Sequence, residues 1–119
     1  MTELLVQIDR FVDEYQPGIV ECSLIDANGT THLFVEKIPL VTTEDIWKAS
    51  QYPKPGAIAC QVEREWYAND GRKLAQISTE LPWHVESTKG ESTFVVLASQ
   101  LKKQSAASPA VTPDTPIRS

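Results

Sequence analysis

At 119 residues the chain has the length of a single domain, which buries about two thirds of its unfolded surface and so supports one hydrophobic core. An apolar fraction of 41% and a charged fraction of 23% are those of a globular protein, and no apolar run approaches the ~20 residues of a membrane-spanning helix. Eleven Lys and Arg against 16 Asp and Glu leave a net charge of −5, which opposes general binding to phosphate backbones and favours a basic protein partner.

The opening Met1-Thr2-Glu3-Leu4-Leu5-Val6 has no basic n-region, and Gln7, Asp9 and Arg10 soon interrupt its apolar residues. It does not read as a signal peptide, so the expected compartment is the cytoplasm. Leu4, Val6 and Ile8 alternate, then the phase shifts at Phe11 and Val12. This predicts a strand with a bulge near Asp9-Arg10, with a short helix as the alternative. Ile19 to Asp26 and Thr30 to Ile38 flank Asn28-Gly29, the dipeptide of tight hairpin turns, and are read as a β-hairpin. Pro39 closes its second arm. Thr42-Thr43-Glu44-Asp45 offers a capping hydroxyl and first-turn acids, predicting a helix from Thr43 to Ala49 that Tyr52-Pro53-Lys54-Pro55-Gly56 ends.

Ala57 to Trp66 and Lys73 to Thr79 flank Asn69-Asp70-Gly71-Arg72 and form a second hairpin. Leu81-Pro82-Trp83 is a connection, His84 to Glu86 a brief extended piece, Lys89-Gly90 a turn, and Ser92 to Ser99 the last strand. The predicted fold is mainly β, a small antiparallel barrel or sandwich of about six strands with one short helix. It forms one globular domain over residues 1–101, which hold 8 bases and 15 acids and so carry −7. Residues 102–119, rich in Ser, Ala, Thr and Pro, read as a disordered tail.

Alternation assigns Val20, Cys22, Leu24, Leu33, Val35, Ile58, Cys60, Val62, Ile77, Phe94 and Val96 to the core. Cys22 and Cys60 are then buried, unreactive thiols, and without a CxxC pair no zinc site is expected. No nucleophile elbow, phosphate-binding loop, dinucleotide fingerprint, HExxH or EF-hand loop is present, so no catalytic residue, metal or cofactor is assigned. His84 with Glu86, and His32 with Glu36, would each share a strand face, and both pairs are read as solvated polar positions.

Trp47, Tyr52, Trp66 and Trp83, together with Tyr67, fall at or near the ends of elements. Such rings either anchor a partner or fill the rim of a barrel, and the first four are the candidate binding residues. The leading function is a non-enzymatic, acidic protein-binding module of an immunity or accessory kind. One alternative is an oligonucleotide-binding barrel, which needs the bases gathered on one face beside aromatics. Another is a small-ligand or enzyme pocket around Trp83, His84 and Glu86.

The segments Phe34-Val35-Glu36-Lys37-Ile38-Pro39, Tyr52-Pro53 with Gly56-Ala57-Ile58-Ala59-Cys60, Asp70-Gly71-Arg72, and Thr79-Glu80-Leu81-Pro82-Trp83 with Val85-Glu86-Ser87 belong together. As a set they resemble a group of small, uncharacterised bacterial proteins of about this length. The resemblance covers nearly the whole domain but not the tail. It implies a bacterial cytoplasmic protein and transfers no functional residue.

Overall fold

Both expected hairpins form, and Gly29 and Gly71 take the positive φ values, 83° and 89°, that their turns require. The first joins β2 (Ile19–Ile25) to β3 (Thr31–Lys37), the second β4 (Lys54–Tyr67) to β5 (Lys73–Ser78). The remaining strands are β1 (Thr2–Asp13), β6 (Thr93–Leu97) and β7 (Leu101–Lys103). The structure is a computed structural model that describes residues 2–14, 18–44, 46–47 and 50–103.

Every pairing is antiparallel, in the order β3-β2-β1-β4-β5-β6, with β7 on the start of β1. The fourteen-residue β4 belongs to two ladders: residues 54–60 pair with β1 and residues 61–67 with β5. A bulge between Val62 and Arg64 lies in the second ladder, and two more interrupt β1, between Ile8 and Arg10 and between Phe11 and Asp13. The bulge read at Asp9-Arg10 is therefore present. Bulges sharpen local twist, and the sheet curls into a half-barrel. Its far edges then meet: the Ala27 amide donates to the Val95 carbonyl at 2.9 Å, and the Thr88 amide to the Leu33 carbonyl at 2.8 Å.

The core fills the concave face. Leu4, Val6 and Ile8 from β1 meet Val20, Cys22 and Leu24 from β2, with Ile58 and Cys60, Ala75 and Ile77, and Phe94 and Val96 from the strands beyond. Phe34 is fully buried and meets Phe94 edge-to-face, with ring centroids 5.6 Å apart. Close packing also dictates Gly56, where a β-carbon would stand 2.8 Å from the Ile8 side chain and 3.1 Å from the Val41 carbonyl.

Three expected core residues are exposed. Leu33 and Val35 point outward because β3 registers on β2 with Phe34 opposite the buried Cys22, and a strand whose parity shifts by one residue exchanges its faces. The inward set of β3 is therefore His32, Phe34 and Glu36. Val62 is exposed because it lies at the bulge, at the start of the stretch 61–65 where every residue of β4 is exposed.

Of the stretch read as a helix, Thr43 to Ala49, residues 43, 44, 46 and 47 are described and are not helical; the others lie outside the described residues. The helical turns among the described residues are two three-residue 3₁₀ turns, Ile38–Leu40 and Ala98–Gln100. The piece from His84 to Glu86 is not a strand. Lys102 and Lys103, assigned by composition to the tail, pair with Glu3 and Thr2 in β7, while residues 104–119 lie outside the described residues.

The parity of β3 has a direct consequence for stability. Phe34→Ala is expected to cost about 3–5 kcal/mol, whereas Leu33→Ser and Val35→Thr should each change stability by about 0.5 kcal/mol or less. Urea unfolding of the three variants checks this, and the reverse ranking would place the other face of β3 inward.

Candidate interaction surface

β3 ends the sheet, so one of its edges has no neighbouring strand among the described residues. Because the Leu33 carbonyl bonds Thr88 rather than β2, the odd-numbered residues of β3 direct their amides and carbonyls to that free side. Val35 has the same parity, and its edge groups have no partner among the described residues. The outer face beside this edge exposes Leu33, Val35 and Ile25 at 38%, 43% and 59%, with Ser23 opposite Leu33 and the Arg10-bound Glu21 opposite Val35. Leu5 is exposed on the same face two strands in, two residues before Gln7, whose partner is Ser23 on β2.

At the opposite end of β3, His32 is held on three sides. Its Nε2 lies 2.8 Å from Asp26 Oδ2, its Nδ1 lies 3.5 Å from Glu91 Oε1, and its ring centroid lies 4.8 Å from that of Phe94. Its side chain is only 12% exposed. Asp26 sits at the β2–β3 turn and its Oδ1 also accepts the Asn28 and Thr30 amides. Glu91 comes from the β5–β6 connection, which is built on buried hydroxyls: Thr79 Oγ1 donates to the Val85 carbonyl at 2.7 Å, and Ser87 Oγ accepts the Lys89 and Glu91 amides. Arg72 adds a third tie by donating to the Ala27 carbonyl at 3.2 Å. These groups close the half-barrel.

The reading of His32 and Glu36 as solvated needs revision. They share a face, but it is the inner one. His32 bonds Asp26 and Glu91, and burial raises the Glu36 carboxyl above its usual 4.5 against the opposing effects of the Lys37 charge and amide. Sequence alone could not pair His32 with a residue 59 positions away, although Asp26 ahead of Asn28-Gly29 is a recurrent turn acid.

The candidate aromatics are dispersed. Trp47 is 59% exposed, and its carbonyl accepts the Tyr52 hydroxyl at 2.7 Å while Tyr52 itself packs on the core. Trp66 is half-buried opposite Leu74, with the Arg64 guanidinium 4.3 Å from its ring centre. Trp83 is 54% exposed in the β5–β6 connection. No ring contact joins these four among the described residues. Beside Trp83, His84 and Glu86 are exposed on either side of the buried Val85, and no hydrogen bond or ion pair links the three. His84 adopts a φ of 54°, a conformation uncommon outside glycine.

Both cysteines are buried free thiols. Burial, with Asp9, Glu36 and Glu21 nearby, pushes the Cys22 thiol up to about 12, and burial with Glu3 pushes Cys60 up to about 11. Thiols so protonated are poor nucleophiles and ligands. No group of three or more His, Cys, Asp or Glu side chains suited to a metal ion occurs among the described residues, and no described helix is long and apolar enough to cross a membrane. No family model, curated protein or solved structure matches the chain.

Burial raises the Asp26 carboxyl, but the bonds from His32, Thr30 and Asn28 outweigh it and hold the group below its usual 3.8. A carboxyl lowered on folding adds stability above its unfolded value and loses it as pH falls through the folded one. Asp26→Asn should therefore cost about 1–3 kcal/mol at pH 6, a deficit that shrinks as pH falls below about 3.8. Unfolding free energies of both proteins between pH 6 and pH 2.5 measure it; a deficit independent of pH would show that the charge of Asp26 contributes nothing.

Proposed function

We propose that the protein is a non-enzymatic, acidic protein-binding module of the bacterial cytoplasm, the setting that its resemblance to small bacterial proteins implies. The observation that carries the reading is the free edge of β3 with Leu33 and Val35 exposed on its outer face, and Ile25 and Leu5 exposed on the same face of the two strands behind it. Exposed apolar surface next to unpaired backbone is costly in water and gains most when another polypeptide covers it. Trp47 and Trp83, more than half exposed, add separate points at which a partner can gain area.

The charge of −5 suits a basic partner. Arg10, Lys54, Arg72 and Lys73 each contact a carboxylate, with Glu21, Glu44, Asp70 and Glu65 respectively, and Arg64 lies on Trp66. Bases neutralised in this way make a weak platform for nucleic acid.

Tagged protein drawn from nuclease-treated lysate of its source organism at about physiological salt should retain one protein in stoichiometric amount and release it at high salt. Recovery of nothing, or of nucleic acid alone once the nuclease is omitted, would overturn the reading.

A further inference from the structure

The carboxylate of Glu36 stands next to the open backbone of Val35 and forms no ion pair among the described residues. It lies on the inner side of the rim, in one cross-strand row with Val20 and Phe11. The same rim holds an open hollow of about 310 Å³ lined by Phe11, Val12, Asp13 and Glu14. On the outer face, the Glu21 carboxylate stands opposite Val35 in the register. Arg10 is paired with Glu21, and Lys37 acts on Glu36 through its charge and amide although its odd parity directs its side chain to the outer face.

Three features thus meet at one short edge. Val35 offers an amide and carbonyl unpaired among the described residues, Leu33 and Val35 offer apolar side chains on the outer face, and Glu36 offers a half-buried carboxylate on the inner one. Thr88 already covers the edge at Leu33, so the open part begins at Val35. An added strand would satisfy the Val35 backbone groups and lay an apolar residue against Leu33 and Val35. Its residue opposite Glu36 would occupy a non-hydrogen-bonded position, where facing side chains approach most closely and opposite charges attract.

We propose that β3 is a docking strand: an extended basic segment of a partner protein adds to its free edge at Val35 and sets a Lys or Arg opposite Glu36. The proposal rests on the protein-binding reading and specifies where and how that binding occurs. Recognition is by main chain and one charge, so the partner is defined by extended conformation, alternating apolar residues and a central base.

The test uses the ¹⁵N-labelled full chain and synthetic peptides of about seven residues, with Lys at the centre of alternating Thr and Val, raised to about 1 mM. The basic peptide should shift and protect the Val35 and Lys37 amides and bind about tenfold more tightly than its Glu-centred counterpart. N-methylation of alternate backbone nitrogens in the peptide should abolish binding, because it removes the strand donors. Glu36→Gln should remove most of the preference for Lys over Glu. Val35→Pro should prevent docking while keeping the fold, since its lost amide makes no ladder bond; if that variant unfolds, Glu36→Gln and the methylated peptide decide the question.

No shift at these amides at the highest concentration, shifts centred elsewhere, or equal binding of the methylated peptide would overturn the proposal. So would concentration-dependent shifts of the same amides without peptide, which would mean that a second copy of the chain takes the edge. A lysate partner held equally by wild type, Glu36→Gln and Val35→Pro would remove this docking site and leave the protein-binding reading standing. Absence of any captured protein would remove that reading itself.

Discussion

The antiparallel register that sets Phe34 opposite Cys22 decides what each residue of β3 does. With Phe34 inward, its ring meets Phe94 and ties the last strand of one end of the sheet to the last strand of the other. His32 and Glu36, two residues to either side, must then also face inward, where the strand runs out of core and into the rim. Leu33 and Val35 are left on the outer face. A one-residue slip would expose Phe34 and bury Leu33 and Val35, and the polar contacts of His32 would be lost with the packing of Phe34.

From that register the two ends of β3 acquire opposite characters. At the His32 end, partners converge from the β2–β3 turn and the β5–β6 connection, and backbone bonds from Ala27 and Thr88 join them. Polar groups so enclosed are satisfied and hold the sheet closed. At the Glu36 end, the carboxylate is half-buried, the neighbouring backbone is open among the described residues and Val35 is exposed on the outer face. One strand therefore both fastens the half-barrel and leaves part of its edge unsatisfied, and only the second condition is of use to another molecule.

Much of this architecture is legible in the sequence. Asn28-Gly29 and Asp70-Gly71 specify hairpins through backbone conformations that glycine alone adopts cheaply, and the phase shift after Ile8 marks a bulge because alternation cannot otherwise change sides. The parity of β3 was not legible in the same way. Thr31-His32-Leu33-Phe34-Val35-Glu36-Lys37 presents two apolar residues on one face and a single larger one between polar neighbours on the other, and counting favours the wrong face. The core prefers the residue that reaches Phe94, a contact 60 positions distant. The enclosure of His32 depends on similar distances, and β7 is too short and too charged to register as a strand until β1 is beside it. Trp47, Tyr52, Trp66 and Trp83 are legible as rings at or near the ends of elements, but not which of them are exposed nor the fact that they are dispersed.

The ladder also brings together the first and last described strands: Thr2 and Lys103 are partners across β1 and β7, and such partners lie about 5 Å apart. A short linker could therefore join these positions while the chain is opened at the exposed Asp70-Gly71 turn, which would leave every strand pairing intact. The order in which the strands emerge during synthesis would then change, and with it the loop lengths that folding must close, although the native contacts would not. The pairing of β7 with β1 makes this half-barrel a natural scaffold for circular permutation, in which topology can be varied while structure is held constant.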